Sequence, residues 1–404
     1  MSNNHLTNAA APAESRWIGN STLALVALLT TSSSLLSHAA EPPRVGVTAE
    51  GFAIPQPGRK FEFPRDHGSH PEFKIEWWYI TGHLLTESQA RYGFQATFFR
   101  SAGPRISADT ASADAQRSAT FGVNGLYLAH IAISDVNQQR FLFEERLNRE
   151  GWDASAEQST LAVRNGNWSL TLDTNQPTVL LVQGTIRDEA SFLLQLRPQK
   201  PLVVFGEDGV SRKGADPSAS SHYLTFSRLA ASGTLTLNGR SHTVKGQAWM
   251  DHEISSSQLD QGQEGWDWAS IQLNDGREVM VYRLRLRGGA TDPHSQLAWV
   301  DDQGMVSRVD ASRFTWKTIR QWKSPQTGGL YPVSIRLETI DPATHQLQVF
   351  LLEPVFDHQE LDGPLGGIPY WEGACRVRNP KGEDIGSAYL ELTGYVGNLA
   401  ERFR

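Results

Sequence analysis

Two alternating runs, Gly265-Trp-Asp-Trp-Ala-Ser-Ile-Gln-Leu273 and Glu278-Val-Met-Val-Tyr-Arg-Leu-Arg285, flank the step Asn274-Asp275-Gly276-Arg277. An Asp-Gly step takes the positive φ values of a tight hairpin turn, so the pattern commits this stretch to two antiparallel strands. The same signature recurs at Asn165-Gly166 and Asn238-Gly239, and short alternating runs bounded by turn residues fill most of the chain. Helical periodicity is scarce, and repeated hairpins are the mark of sandwiches or barrels. With 404 residues, two domains of similar size are expected.

A two-residue loop at Asp275-Gly276 pairs Ile271 with Met280, Ala269 with Tyr282 and Asp267 with Leu284. Alternation then puts Asp267, Ala269, Ile271, Met280, Tyr282 and Leu284 on one face, and Trp266, Trp268, Arg283 and Arg285 on the other. Asp267 would stand among apolar side chains, where loss of hydration raises a carboxyl pKa and suits it to act as a general acid. Arg283 or Arg285 reaching it would instead make it a structural ion pair. Upstream, Asp251, His252 and Glu253 close a strand-like run, with His252 directed opposite to its two acidic neighbours. They form either an acid/base group or a salt-bridged rim; no HExxH or CxxC spacing supports a metal, and no metal or other cofactor is expected.

In the run His70 to His83, Glu76 and Trp78 point one way and Trp77 and Tyr79 the other, with bulk on both faces, so this strand is expected to be covered on both sides. Buried Glu76 needs a partner. His83 and His130 read as neutral core histidines. The stretch 103–120 is a long polar loop, either a flap or plain surface, and Phe205 to Ser221 is turn-rich and basic.

The motifs Trp249-Met-Asp-His-Glu, Gly265-Trp-Asp-Trp, His70-Pro-Glu-Phe-Lys-Ile-Glu-Trp-Trp-Tyr-Ile-Thr-Gly-His83 and Tyr389-Leu-Glu-Leu-Thr-Gly-Tyr395 together resemble the AttH-like predicted secreted hydrolases, relatives of carotenoid 1,2-hydratase (hydroxyneurosporene synthase). The resemblance covers about Ile54 to Val396. Ile254 departs from it, because an aromatic residue is expected there. It implies an all-β protein of two lipocalin-like antiparallel β-barrel domains, divided as linker 40–64, N-terminal barrel 65–222 and C-terminal barrel 223–404. It also implies a metal-independent hydratase or hydrolase acting on a hydrophobic isoprenoid or lipid-like substrate. Asp267, Asp251, His252, Glu253 and Tyr282 are the candidate catalytic residues, and Trp249, Trp266, Trp268, Glu76 and Trp78 the candidate substrate contacts. The rival expectation is a non-catalytic carrier of apolar ligands working with an ABC-type export system.

Arg16, the apolar run Leu23 to Leu29 and the small residues Ser37 to Ala40 have the layout of a secretory signal peptide over 1–39. The apolar run is too short to span a bilayer, so the expectation is a periplasmic or secreted protein with no stable membrane insertion after cleavage. Cys375, the single cysteine, has no intramolecular partner for a disulfide. A net charge of −7 argues against nucleic acid as a partner.

Overall fold

The computed structural model describes residues 46–103, 105, 125–363, 365 and 369–397. The signal-peptide segment, the start of the linker and most of the 103–120 loop lie outside them. The described chain is nearly all β, with two 3-10 turns as its only helical pieces.

Thirteen strands build the first sheet. They are β1 (Ile75–Thr86), β2 (Arg91–Ala102), β3 (Gly125–Asp135), β4 (Arg140–Arg149), β5 (Ala154–Ala156), β6 (Ala162–Asn165), β7 (Trp168–Leu172), β8 (Leu180–Ile186), β9 (Ala190–Pro198), β10 (Val203–Phe205), β11 (Ser211–Arg212), β12 (Ser220–Leu237) and β13 (Arg240–Ser257). Their spatial order is β4-β3-β2-β1-β13-β12-β9-β8-β7-β6-β5, with β10 and β11 added along β12. The second sheet holds β14 (Gln263–Leu273), β15 (Glu278–Leu286), β16 (Gln296–Val300), β17 (Val306–Asp310), β18 (Phe314–Lys323), β19 (Leu330–Ile340), β20 (Leu347–Pro354), β21 (Glu360–Leu361), β22 (Tyr370–Arg378) and β23 (Asp384–Leu392), in the order β17-β16-β15-β14-β23-β22-β20-β19-β18 with β21 beside β22. Every ladder is antiparallel, and each sheet curls into a barrel-like, lipocalin-like domain. Sheet membership changes between Ser257 and Gln263, so the division expected after residue 222 falls inside β12. The sequence cue there, a polar loop followed by a long hairpin, marks the return into the first sheet through β12 and β13.

Alternation explains where each core sits. β8 and β9 bury every second residue, as strands with one solvated face do. Their inward residues join Trp78, Phe94, Ile131 and Trp168 in a core inside the first curled sheet. Ile271, Trp299, Ile335, Phe350 and Leu390 fill the second in the same way. β1, β13 and β14 are instead buried on both faces, because their outer sides meet between the sheets. Tyr79, Trp249, Trp268, Met280, Tyr282 and Tyr389 form that third core. The covering expected for the strand at 75–86 is therefore present.

Turn chemistry settles two registers differently. Asn238 and Gly239 both take positive φ, 47° and 77°, and Leu237 pairs with Arg240 across a two-residue turn. At the second hairpin only Gly276 is positive, at 92°, and the Leu273 amide donates to the Arg277 carbonyl, which closes a three-residue loop. Trp268 therefore pairs with Tyr282, Asp267 with Arg283 and Ser270 with Met280. This corrects the two-residue register: a slip of one residue moves every side chain of β15 to the opposite face relative to β14.

Candidate active site

Corrected faces put Asp267 with the arginines. Its fully buried carboxylate accepts from Arg283 Nη1 at 2.9 Å, from Arg285 Nη1 and from the Tyr395 hydroxyl at 2.8 Å. It lies away from any cavity described below, and the apolar surroundings that would have made it an acid belong to the discarded register. Trp268, Tyr282 and Leu284 share the other face and turn toward the first sheet.

That face closes over a cavity of about 490 Å³ between the outer sides of the two sheets. Its wall from the first sheet is a grid set by strand register. One row across β12, β13, β1, β2, β3 and β4 reads Tyr223, Glu253, Trp77, Phe99, Leu128, Leu147. The next reads Thr225, Asp251, Tyr79, Thr97, His130, Glu145. Trp266, Trp268, Tyr282, Tyr370 and Glu391 contribute from the second sheet.

Asp251 is 3% exposed, and its carboxyl accepts from the Tyr223 hydroxyl and Thr225 Oγ1, each at 2.6 Å, and from Trp249 Nε1 at 2.7 Å. Burial raises its pKa to about 7, against the three hydrogen bonds and with help from the nearby Glu253 charge. The raised carboxyl expected at Asp267 is thus found at Asp251. Trp268 Nε1 donates to the Tyr223 hydroxyl at 2.9 Å, fixing that phenol between the indole and the acid.

Glu253 is held by Lys213 Nζ at 2.7 Å and by the Ser221 hydroxyl. Lys213 stands 5.0 Å from the Tyr223 ring centre and 4.9 Å from that of Tyr282, a cation over two aromatic faces. Tyr282 itself meets Ser211 Oγ at 3.1 Å.

Two further carboxyls come from β22 and β23, where Glu372 and Glu391 are direct cross-strand neighbours. Like charges so placed repel, which favours keeping a proton. Glu391 accepts from Trp266 Nε1 at 3.1 Å, and its pKa is raised to about 8 by burial and by the Glu253 and Asp251 charges. The surface it retains faces the cavity. Glu372 is fully buried and accepts from the Tyr79 hydroxyl at 2.6 Å; burial and the Glu391 charge hold its pKa well above the usual range.

Of the remaining sequence candidates, Glu76 reaches the edge of the cavity, while Trp249 and Trp78 do not line it. Trp249 orients Asp251 from outside the cavity, and Trp78 packs in the first core, stacked 4.8 Å from the His252 ring. Glu76 accepts from its partners His252 Nε2 (2.9 Å), His70 Nδ1 (2.8 Å) and Arg100 Nε (3.1 Å). Burial opposes its ionisation, but the two histidines hold the carboxyl below the usual range. His70, Glu76 and His252 are ligand types lying within 4.8 Å of one another. Their facing atoms are already bonded to each other, and Arg100 shares Glu76, so the group is an ion-paired node tying residues 66–76 to β2 and β13. Asp251 and Glu253 face the cavity while His252 faces this node, as alternation requires. His130 lines the cavity with Nδ1 2.7 Å from the Tyr370 hydroxyl, and burial lowers its pKa to about 3, so it is neutral. His83 is likewise lowered by burial, to about 4. Ile254 packs on Phe73 and Leu224, away from the cavity.

Glu391 offers a clean pH test. Its folded pKa near 8 exceeds the value of about 4.3 for an unfolded glutamate, so its stabilising contribution is complete below that value and is lost as pH rises toward 8. Glu391→Gln removes the titration. Thermal midpoints measured from pH 5 to 8 should therefore shift steadily in favour of the variant relative to wild type; a constant difference would mean an ordinary pKa.

The comparisons agree with this architecture. No protein with a curated description matches the chain in sequence. A crystal structure of an AttH protein from Nitrosomonas europaea is similar at 32% identity and a TM-score of 0.74, over 86% of this chain and 100% of that one. Kievitone hydratase from Nectria haematococca shares the fold at 13% identity and a TM-score of 0.59, over 79% of this chain and 88% of that one. The AttH-like family model matches residues 54–395. A match of that extent, joined to the resemblance along the whole Nitrosomonas protein, means that this chain belongs to the AttH-like family.

Proposed function

We propose that this protein is a hydratase that adds water to an electron-rich double bond of a hydrophobic, isoprenoid or lipid-like substrate, with Asp251 as its acid. The observation that carries the reading is a carboxyl with a pKa near 7 set in an aromatic cavity. Alkene hydration needs a strong positioned acid and faces that stabilise a carbocation. The alkene π pair takes the Asp251 proton to form a C–H bond, leaving positive charge on the neighbouring carbon under the Trp266, Trp268 and Trp77 rings. A water oxygen closes the C–O bond and returns a proton to the Asp251 carboxylate. Glu253, held by Lys213, is placed to orient that water. The name of kievitone hydratase, a protein of the same fold, agrees with hydration as the class to test first. The signal-like segment at 1–39 supports action outside the cytoplasm.

Incubating the protein with conjugated and isolated polyenes in heavy-oxygen water tests the reading. Hydration yields one product heavier by a single labelled water. With a polyene ester, cleavage into two fragments of which one carries the label would indicate hydrolysis, and ligand recovered unchanged would indicate the carrier alternative.

A further inference from the structure

The row that carries Asp251 ends, on β3 and β4, in a second polar pair that the hydratase reading leaves unused. His130 and Glu145 are direct cross-strand neighbours there, 3% and 9% exposed, and Tyr370 reaches His130 from β22 of the second sheet. Leu128 and Leu147, the next pair on the same face, set apolar surface beside them. Polar groups so deeply buried are held by partners, and a group left over asks for one.

Counting hydrogens finds that group. Gln95 Nε2 donates to the Tyr370 hydroxyl oxygen at 2.9 Å, so the phenolic hydrogen goes to His130 Nδ1, 2.7 Å away. The imidazole is neutral, and with Nδ1 accepting it carries its one hydrogen on Nε2. His130 lines the cavity, and this Nε2 is buried with no hydrogen-bond partner among the described residues. Glu145 Oε1 stands 3.5 Å from it, beyond a good N–H···O contact.

The carboxylate is itself fixed. Its Oε2 accepts from the Leu365 amide at 3.2 Å, and it lies so close to Gly363 that any side chain there would collide with it. A carboxylate oxygen has lone pairs for more than one hydrogen, so the pair presents one donor and one acceptor across a gap that a single oxygen atom fills at about 2.8 Å from each. A hydroxyl satisfies both, accepting from Nε2 and giving its hydrogen to Oε1. An ether or ketone oxygen has no hydrogen to give and turns its lone pairs on the carboxylate, while an acid ligand would bring a like charge.

We propose that His130 and Glu145 bind a hydroxyl group of the cavity's ligand, with Tyr370 and Gln95 holding the imidazole in its donating tautomer. Three strand spacings along the row place this site about 14 Å from Asp251. The ligand is a hydrophobic alcohol, recognised at one end of the row and presented to the acid at the other. That presentation rests on the hydratase reading; the hydroxyl site rests on the pair alone.

Isothermal titration with 4-tert-butylcyclohexanol, its methyl ether, the matching ketone and the matching carboxylate tests the site on one compact skeleton that has no double bond to hydrate. The alcohol should bind about ten- to a hundredfold more tightly than the other three, the range of a buried hydrogen bond to a charged group. His130→Phe keeps a ring and removes the donor, and should erase the preference. Glu145→Gln keeps the shape and adds an N–H, so the ketone should gain on the alcohol, whereas a merely structural role would lower every affinity together. Equal affinity for alcohol and ether in the wild type, with water holding the gap, overturns the site, as does a preference that either folded variant leaves unchanged. Should circular dichroism show His130→Phe unfolded, Glu145→Gln decides alone. Hydration absent with the alcohol preference intact overturns only the reaction assigned to Asp251, and hydration without the preference overturns only the site.

Discussion

Asp251→Asn should lower turnover by about two to four orders of magnitude while the protein stays folded and still binds its ligand. Asparagine reproduces the acceptor that Thr225 and Trp249 address, and its amide donates to the Tyr223 oxygen, so the only bond given up is the one that the Tyr223 hydroxyl donated to the carboxylate. What it lacks is a transferable proton. In the wild type the donor form disappears as pH rises through about 7, so the rate should fall on the alkaline side of neutrality. The residual rate of the variant should show no such limb. Circular dichroism and a thermal midpoint within a few degrees of wild type would exclude unfolding as the cause. A variant that retains full activity with the same alkaline limb would move the acid role to Glu391, the other cavity carboxyl raised to near neutrality.

The strand content, the alternation along β1 and β13 and the pairing demand of Glu76 were legible because each depends on neighbours close in sequence. Asp251 and Glu253 on one side and His252 on the other follow from the period of two alone. The second hairpin was misread by one residue for a local reason. Asn274-Asp275-Gly276 satisfies both a two-residue turn and a three-residue loop, and the choice lies in whether Asp275 takes positive φ, which it does not. That single residue exchanged Asp267 for Trp268 on the cavity side. Tyr223, Lys213, Glu372 and Glu391 were missed for a non-local reason. They meet only because the outer faces of two curled sheets pack together, and no pattern within one strand announces which face will do so. A faint signal existed in Leu390-Glu391-Leu392, an acidic residue at the centre of an apolar run, where burial of a carboxyl demands an explanation. The division between the sheets was placed early because β12 and β13, 18 residues each, are long enough to serve both a barrel wall and the contact with the other sheet.

Asp267→Asn should produce the opposite outcome to Asp251→Asn: a large loss of stability with turnover per folded molecule preserved. Asp267 is fully buried and neutralises Arg283 and Arg285, the latter 6% exposed and packed with its guanidinium carbon 3.8 Å from the Tyr395 ring centre. Removing the negative charge leaves a buried cation uncompensated, which costs about 3–5 kcal/mol. For a chain of this size that corresponds to a fall in thermal midpoint of about 4–7 degrees. The loss has a diagnostic partner. Arg285 also donates to the Thr393 carbonyl, so the node fastens the end of β23 to β14. Asp267→Leu with Arg285→Met removes the more buried cation along with its partner, leaves only the less buried Arg283 uncompensated, and should recover part of the midpoint. Normal kcat in Asp267→Asn, assayed well below its transition, fits a carboxylate spent on holding the fold. Collapse of kcat at an unchanged midpoint would instead make Asp267 the acid and return Asp251 to a structural role.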